Sequence, residues 1–325
     1  MVGFERGAVY RPRYSVEGRP VLAPDEDAFT LAVAALEAFP EGARSPFPTH
    51  VHLVGEFPAL LDWALPAYLG YPVDLTRHVG GAAGLLRTLA EAATGEGDQP
   101  YLVLAADVDG PQGAHAAALV FGPEPGAHPP AWDSVVGVEG GAALAREALH
   151  RIGTADARSA SDTEPPWPLD RGAAFARAPP SQVSEGAYVP RPRYLENLPS
   201  RWRLAADRCA RCERITFPRR GLCRFCGLSD RLTPETLPRD GAQVVAATVL
   251  ARGGQPTEFD PQVDALGPYA VVLAEFAPGV RLTLQVSDAR PGDLKIGDRV
   301  GTRLRRLYPM EGEWRYGRKA VPMPG

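Results

Sequence analysis

Lysine is almost missing from this chain of 325 residues. Of 35 basic residues only Lys295 and Lys319 are lysine, and the other 33 are arginine. With 34 glycines and 34 prolines, that usage fits a GC-rich coding sequence better than a mechanism. Long hydrophobic runs are missing too. None approaches the length of a membrane span, and the opening MVGFERGAVYRPRY lacks the apolar region of a signal peptide, so a cytoplasmic protein is expected. All six histidines lie before residue 151, and all four cysteines lie in one short stretch. No thiol is left elsewhere to pair in a disulfide or to act as a nucleophile. The net charge of -4 gives no global pull toward nucleic acid, and 45% hydrophobic with 23% charged residues suits a globular protein. The length fits two or three domains.

The cysteine stretch, CARCERITFPRRGLCRFC, runs from Cys209 to Cys226. Cys209 and Cys212 form one Cys-x-x-Cys pair, and Cys223 and Cys226 form a second after a gap of ten residues. Each pair makes a knuckle that aims two thiolates at one centre, and two knuckles complete a tetrahedral cage of the kind a structural zinc ion prefers. Iron in a rubredoxin-type cage shares this spacing and stays open as an alternative. A closed four-thiolate cage leaves no position for water or substrate, so it fastens structure and does not catalyse.

The basic charge clusters around that stretch. Ala187 to Arg231 holds eleven arginines against Glu196, Asp207, Glu213 and Asp230. Such an island on an acidic chain points to a local polyanion, either nucleic acid or a phosphate-bearing cofactor, with a solvated, ion-paired helix as the plainer explanation. Arg219, Arg220 and Arg224 are the candidate phosphate ligands.

Along the first 122 residues, strand and helix signals alternate. Strands are expected at Gly7–Tyr10, His50–Gly55, Pro72–Leu75, Tyr101–Ala106 and Ala114–Phe121. Helices are expected at Asp25–Phe39 (with Leu31, Ala35 and Leu36 on one face), Phe57–Leu69 (broken or kinked near Pro66) and Gly80–Ala93. The order β-α-β-α-β-α-β-β implies a layered α/β unit. His50 and His52 share one face of their strand. They offer a metal-binding pair, or simply two partly buried histidines.

VDLTRHVGGAAGLL, YLVLAADV and GAHAAALVFG resemble the first half of the thiolase/ketosynthase/hydroxymethylglutaryl-CoA synthase fold. In that family a nucleophilic cysteine precedes a Gly-Gly pair. Here the matching position is His78, ahead of Gly80 and Gly81, and Glu56 matches the synthases' acidic residue. The resemblance implies a half-thiolase domain with no catalytic residue, able to dock to a copy of itself or to a true thiolase-fold enzyme.

Between Pro123 and Gly186 the chain reads as irregular segment and linker, with a short helix expected at Ala142–Arg151. Leu198–Asp207 should form a helix feeding the first knuckle, and Phe217 and Pro218 should pack on the ribbon. Five strands follow: GAQVVAATVLA, YAVVLAEF, VRLTLQVSD, RVGTRLRRLY and EWRYGRKAV. In VRLTLQV the alternation puts Val280, Leu282, Leu284 and Val286 inward and Arg281, Thr283 and Gln285 outward. Five strands after a ribbon suggest an OB-fold barrel with one long connection, Arg252–Pro268.

RPRYLENLPSRWRLAADRCARCERITFPRRGLCRFCG, with GPYAVVLAEF, LKIGDRV and YGRKAVP, is similar to the rubredoxin-like zinc-ribbon/OB-fold family, once catalogued as a domain of unknown function. The similarity covers Tyr188 to the C-terminus. Arg318 departs from it, since relatives commonly carry an aromatic residue before the lysine. It implies a non-catalytic partner of thiolase-type enzymes, zinc at the four cysteines, and acyl-CoA as a ligand.

The expected architecture is therefore multidomain, α/β plus all-β. It comprises a degenerate thiolase-like half domain at 1–125, a linker at 126–186, a helix and zinc ribbon at 187–231, and an OB-fold at 232–325. The expected function is an accessory subunit docking on a thiolase-fold enzyme, as a hetero-oligomer or as a homodimer through the N-terminal half. Two other functions compete. A single-stranded nucleic-acid binder would stack bases on Tyr269, Phe276, Trp314 and Tyr316. A stand-alone acyl-CoA synthase or acyltransferase would need a Ser or His nucleophile, yet no triad or Gly-x-Ser-x-Gly elbow is present.

Overall fold

A computed structural model describes residues 3–10, 12–17, 19–39, 47–78, 100–108, 114–122, 165, 167, 171–172, 175, 190–310 and 312–323. The chain divides into two compact units, Met1–Pro165 and Pro166–Gly325. The helices expected at Gly80–Ala93 and Ala142–Arg151, and nearly all of the linker, lie outside the described residues.

The N-terminal unit is built on a five-stranded sheet. In chain order its elements are β1 (Gly3–Tyr10), a small hairpin of β2 (Tyr14–Val16) and β3 (Arg19–Val21), α1 (Ala28–Ala38), β4 (His50–Gly55), α2 (Leu61–Leu69), β5 (Asp74–His78), β6 (Tyr101–Asp107) and β7 (His115–Gly122). The sheet order is β1-β7-β6-β4-β5, with β4 parallel to both β5 and β6, and β7 antiparallel to β6 and β1. From Tyr101 to Ala106 every residue of β6 is buried, as its unbroken apolar run requires of a strand covered on both faces.

Helix α1 starts at a capping box. The Asp27 carboxylate accepts from the Thr30 amide at 2.9 Å, and the Thr30 hydroxyl accepts from the Asp27 amide at 2.8 Å. The sequence pattern implied one apolar face, but Ala28 through Glu37 are all buried, so α1 is covered on every side. Glu37 survives there by accepting the Tyr68 hydroxyl of α2 at 2.8 Å. Helix α2 runs continuously through Pro66, which does not break it. It ends at Gly70, left-handed at φ 89, whose amide donates to Pro66.

The C-terminal unit opens with two short helices, α3 (Arg191–Glu196) and α4 (Leu198–Arg203). A three-stranded ribbon follows, ordered β10-β8-β9, from β8 (Ala205–Cys209), β9 (Ile215–Thr216) and β10 (Leu232–Thr236). The helix expected over Leu198–Asp207 thus stops short. Leu204 turns left-handed at φ 59, and Ala205–Cys209 pairs with Leu232–Thr236 as strand.

Five antiparallel strands then form a nearly closed, barrel-like sheet, ordered β13-β12-β11-β14-β15. They are β11 (Asp240–Leu250), β12 (Tyr269–Ala277), β13 (Val280–Gln285), β14 (Arg299–Met310) and β15 (Glu313–Pro322). A parallel bridge between Val286 and Ala320 links the two outer strands. The long connection after β11 holds a 3-10 turn at Thr257–Phe259 and the helix α5 (Asp260–Leu266), and Phe259 packs against Tyr269 and Tyr308.

Ribbon and barrel share one core: Leu204, Ala206 and Leu237 cluster with Val244, Val272, Leu284 and Val300. Phe217 packs on this same cluster. In β13 the expected alternation holds for Val280, Leu282 and Leu284. Gln285 breaks it, being buried at 8% exposure where an outward position was expected, because the barrel closes over that end of the strand through the adjoining Val286 bridge.

Candidate metal centre and its surroundings

Each knuckle is built by the same local turn. In the first, the Cys209 carbonyl accepts from the Glu213 amide at 2.8 Å, and the Cys209 amide donates to Arg214 at 3.0 Å. In the second, the Cys223 carbonyl accepts from the Gly227 amide at 2.8 Å, and the Cys223 amide donates to Leu228 at 2.8 Å. Both turns close on a left-handed residue, Glu213 at φ 58 and Gly227 at φ 75. This geometry directs amides at the sulfurs. The Phe225 amide, working against burial and aided by the Cys226 amide, brings the Cys223 thiol down to about 6. Amides of Cys212 and Arg211 likewise lower Cys209.

All four cysteines are free, and their sulfurs lie within 4.8 Å of one another. The Cys209–Cys226 and Cys212–Cys223 sulfurs are 3.6 Å apart. Sulfurs bound to one tetrahedral zinc at about 2.3 Å would sit about 3.8 Å apart. The donor set and its spacing therefore fit a four-thiolate metal ion.

The arginine island lies largely at the surface, and some of its members pair with carboxylates. Arg219 Nε donates to Asp207 at 2.8 Å, and that carboxylate is almost fully buried. Arg208 makes a two-pronged pair with Glu235, at 2.5 and 2.7 Å. Arg220 and Arg224 are exposed, and Arg224 and Arg214 lie over the ring of Phe225 at 5.0 and 4.7 Å. Of the three candidate phosphate ligands, Arg219 is thus already paired with a carboxylate.

Tyr269, Phe276 and Tyr316 are buried, and Trp314 meets Phe175 edge-on and carries the Arg306 guanidinium over its ring. These aromatics serve packing, so they offer no open stacking platform. Arg318, the departure from the family pattern, is buried and donates from Nε to the Trp202 carbonyl at 2.7 Å.

In the N-terminal unit, His78 ends β5 and is buried, while Glu56 is exposed just past β4. The structure pairs His78 with His52, Nδ1 of His52 lying 3.0 Å from Nε2 of His78. His50 instead faces Asp74 at 3.7 Å. Sequence reasoning coupled His50 with His52. The partnership across two strands needs the parallel register Val54↔His78, which no local pattern reveals.

Four cysteines on twin knuckles, attached to a barrel-like sheet, define a small β module able to hold a metal ion. The chain belongs to the family of DUF35 domain-containing scaffold proteins. It is 30% identical over 122 residues to such a protein of Methanothermobacter thermautotrophicus, covering 37% of this chain and 85% of that one. It is 28% identical over 133 residues to one of Methanocaldococcus jannaschii, covering 40% and 89%. Among solved structures, an Ltp2-ChsH2(DUF35) aldolase aligns with 24% identity over 37% of this chain and 84% of its own, at a TM-score of 0.29. No family model matches the chain. No helix among the described residues is long and apolar enough to cross a membrane.

Proposed function

We propose that this protein is a non-catalytic scaffold subunit that docks on a thiolase-fold acyl-CoA enzyme and helps bind or pass on the acyl-CoA. The observation that carries the reading is the relationship to proteins named as scaffolds, which spans 85% and 89% of their lengths. Cysteine chemistry supports it: every thiol of the chain sits in one group able to hold a metal, which leaves none apart from it for acyl transfer. In this reading Cys209, Cys212, Cys223 and Cys226 hold a structural zinc, and the β11–β15 sheet is an OB-fold. The N-terminal unit is a degenerate thiolase half with His78 at the lost nucleophile's place. A layered α/β sheet with a covered helix is the fold such a half requires. Zinc bound to four thiolates locks the ribbon and supplies no open coordination site.

Arg220 and Arg224 are exposed guanidiniums suited to coenzyme A phosphates, whereas Arg219, also exposed, is paired with Asp207. The partner is a thiolase, a hydroxymethylglutaryl-CoA synthase, or a related aldolase or hydratase, met in the cytoplasm.

Co-expression with a thiolase-fold enzyme from the same genome, followed by size-exclusion chromatography, tests the docking. A stable complex is expected, and separate elution of both proteins at micromolar concentration would overturn it. Calorimetric titration of that complex with acetyl-CoA tests the ligand. Arg220→Glu with Arg224→Glu should weaken binding about tenfold or more, and an unchanged affinity would remove those residues from the site.

A further inference from the structure

We propose that His52 and His78 form a second metal site, independent of the cysteines, that takes a borderline divalent cation such as zinc. Register places the two residues together. His50, His52 and Val54 of β4 pair with Asp74, Thr76 and His78 of β5 in parallel, so all six side chains share one face of the sheet. His78 is the last residue of β5, at the carboxyl edge of parallel strands, where α/β sheets present ligand-binding groups.

The two imidazoles meet through ring nitrogens. Nδ1 of His52 and Nε2 of His78 are 3.0 Å apart. Two nitrogens bound to one metal at 2.0–2.1 Å would stand about 2.9 to 3.4 Å apart for angles between octahedral and tetrahedral. Without metal, one ring donates its N–H to the other's lone pair. Moving the donor's proton to its far nitrogen leaves both facing atoms as lone-pair ligands, with no net gain or loss of protons. The Tyr101 ring meets His52 edge-on at 5.3 Å, and Tyr101 itself stacks on Phe121 at 4.7 Å. His52 is therefore backed by a fixed aromatic wall. Imidazole donors favour zinc, nickel or copper over calcium or magnesium.

The test is zinc stoichiometry of the full chain by isothermal titration and elemental analysis, starting from protein with one zinc already in the cysteine cage. A second, weaker equivalent is expected in the wild type. Its affinity should fall at least tenfold in His52→Gln and in His78→Gln, and stay unchanged in His50→Gln, whose ring faces Asp74. Thermal melts without added zinc confirm that each variant folds. The wild-type count decides even if a variant does not. A wild type that binds only one zinc overturns the site. So does a second equivalent that persists in both variants, since that metal would sit on adventitious surface ligands.

Discussion

In the N-terminal unit the central strand buries Leu102, Val103, Leu104 and Ala105 completely. In the C-terminal unit Arg305, Arg315 and Lys319 are hidden almost as well, at 1%, 1% and 2% exposure. The first unit is thus held mainly by removing apolar surface from water, which is forgiving of detail. The second surrounds charge with specific partners. Arg305 reaches Asp288 at 3.3 Å, Arg315 lies 4.8 Å from the centre of the Tyr194 ring, and Trp202 donates its indole N–H to the Tyr316 carbonyl at 3.0 Å. Buried charges without such partners are costly, so this unit depends on a few contacts being right. The difference predicts that single changes cripple the C-terminal unit more often than the N-terminal one.

The harshest way to break that comparison is to remove the clip. Cys223→Ser, or a strong chelator, should abolish or sharply lower the C-terminal unit's melting transition and leave the N-terminal one in place, as read by differential scanning calorimetry. Two transitions that fall together would show that the units are not energetically separate. Next, Trp202→Ala empties a fully buried site flanked edge-on by Tyr194 and Tyr316. It should cost about 3–5 kcal/mol in denaturant unfolding of the C-terminal unit.

A comparable probe of the other unit is Gly55→Ala. Gly55 has φ 121, and a Cβ there would collide with the Ala106 carbonyl oxygen across the parallel pair. A loss of about 1–3 kcal/mol is expected, confined to the N-terminal transition. The smallest effect belongs to Tyr194→Phe. The Tyr194 hydroxyl donates to the Tyr316 carbonyl at 3.1 Å and accepts its amide at 2.9 Å, so its loss should cost about 1–2 kcal/mol. Burial, opposed by the Tyr316 hydrogen bond and by Arg315 and Arg201, pushes the phenol from 10.0 up to about 12. Folding therefore favours the protonated phenol. Its contribution is complete below pH 10 and is lost as pH rises through 12, so the variant should show a shallower alkaline loss of stability.

How much of this was legible beforehand depended on how local each cause is. The cysteine group was readable because each knuckle is fixed within six residues, and His50–Gly55 was readable because its alternation is local. The strands β11 to β15 emerged from alternation and turns for the same reason. Local signals failed where a distant segment decides. Nothing near Arg305, Arg315 or Lys319 announces burial, since a cationic side chain is exposed by default until the fold brings a partner to it, as Asp288 comes to Arg305 and Tyr194 to Arg315. Gln285 reads as outward in its own strand, and only the closing bridge at Val286 hides it. Helix α3, in RPRYLE, carries two arginines and a proline and has a weak apolar stripe. Its anchor is Tyr194, whose hydroxyl meets a backbone 122 residues away. At the candidate metal centre the grouping of the four cysteines was legible, but the Arg219–Asp207 pair was not, because it joins side chains twelve positions apart across the ribbon.

That 122-residue reach also bears on how the protein is made. Tyr194 and Trp202 leave the ribosome long before Tyr316 exists, so through most of synthesis two large aromatic side chains lack the strand that shelters them. Completion of the C-terminal unit must wait until translation has passed that strand, whereas the two cysteine knuckles close within the twenty residues from Cys209 to Leu228. Knuckle formation can therefore precede barrel closure, leaving a half-built intermediate in which the four-cysteine group is set and the aromatic shelf stands bare.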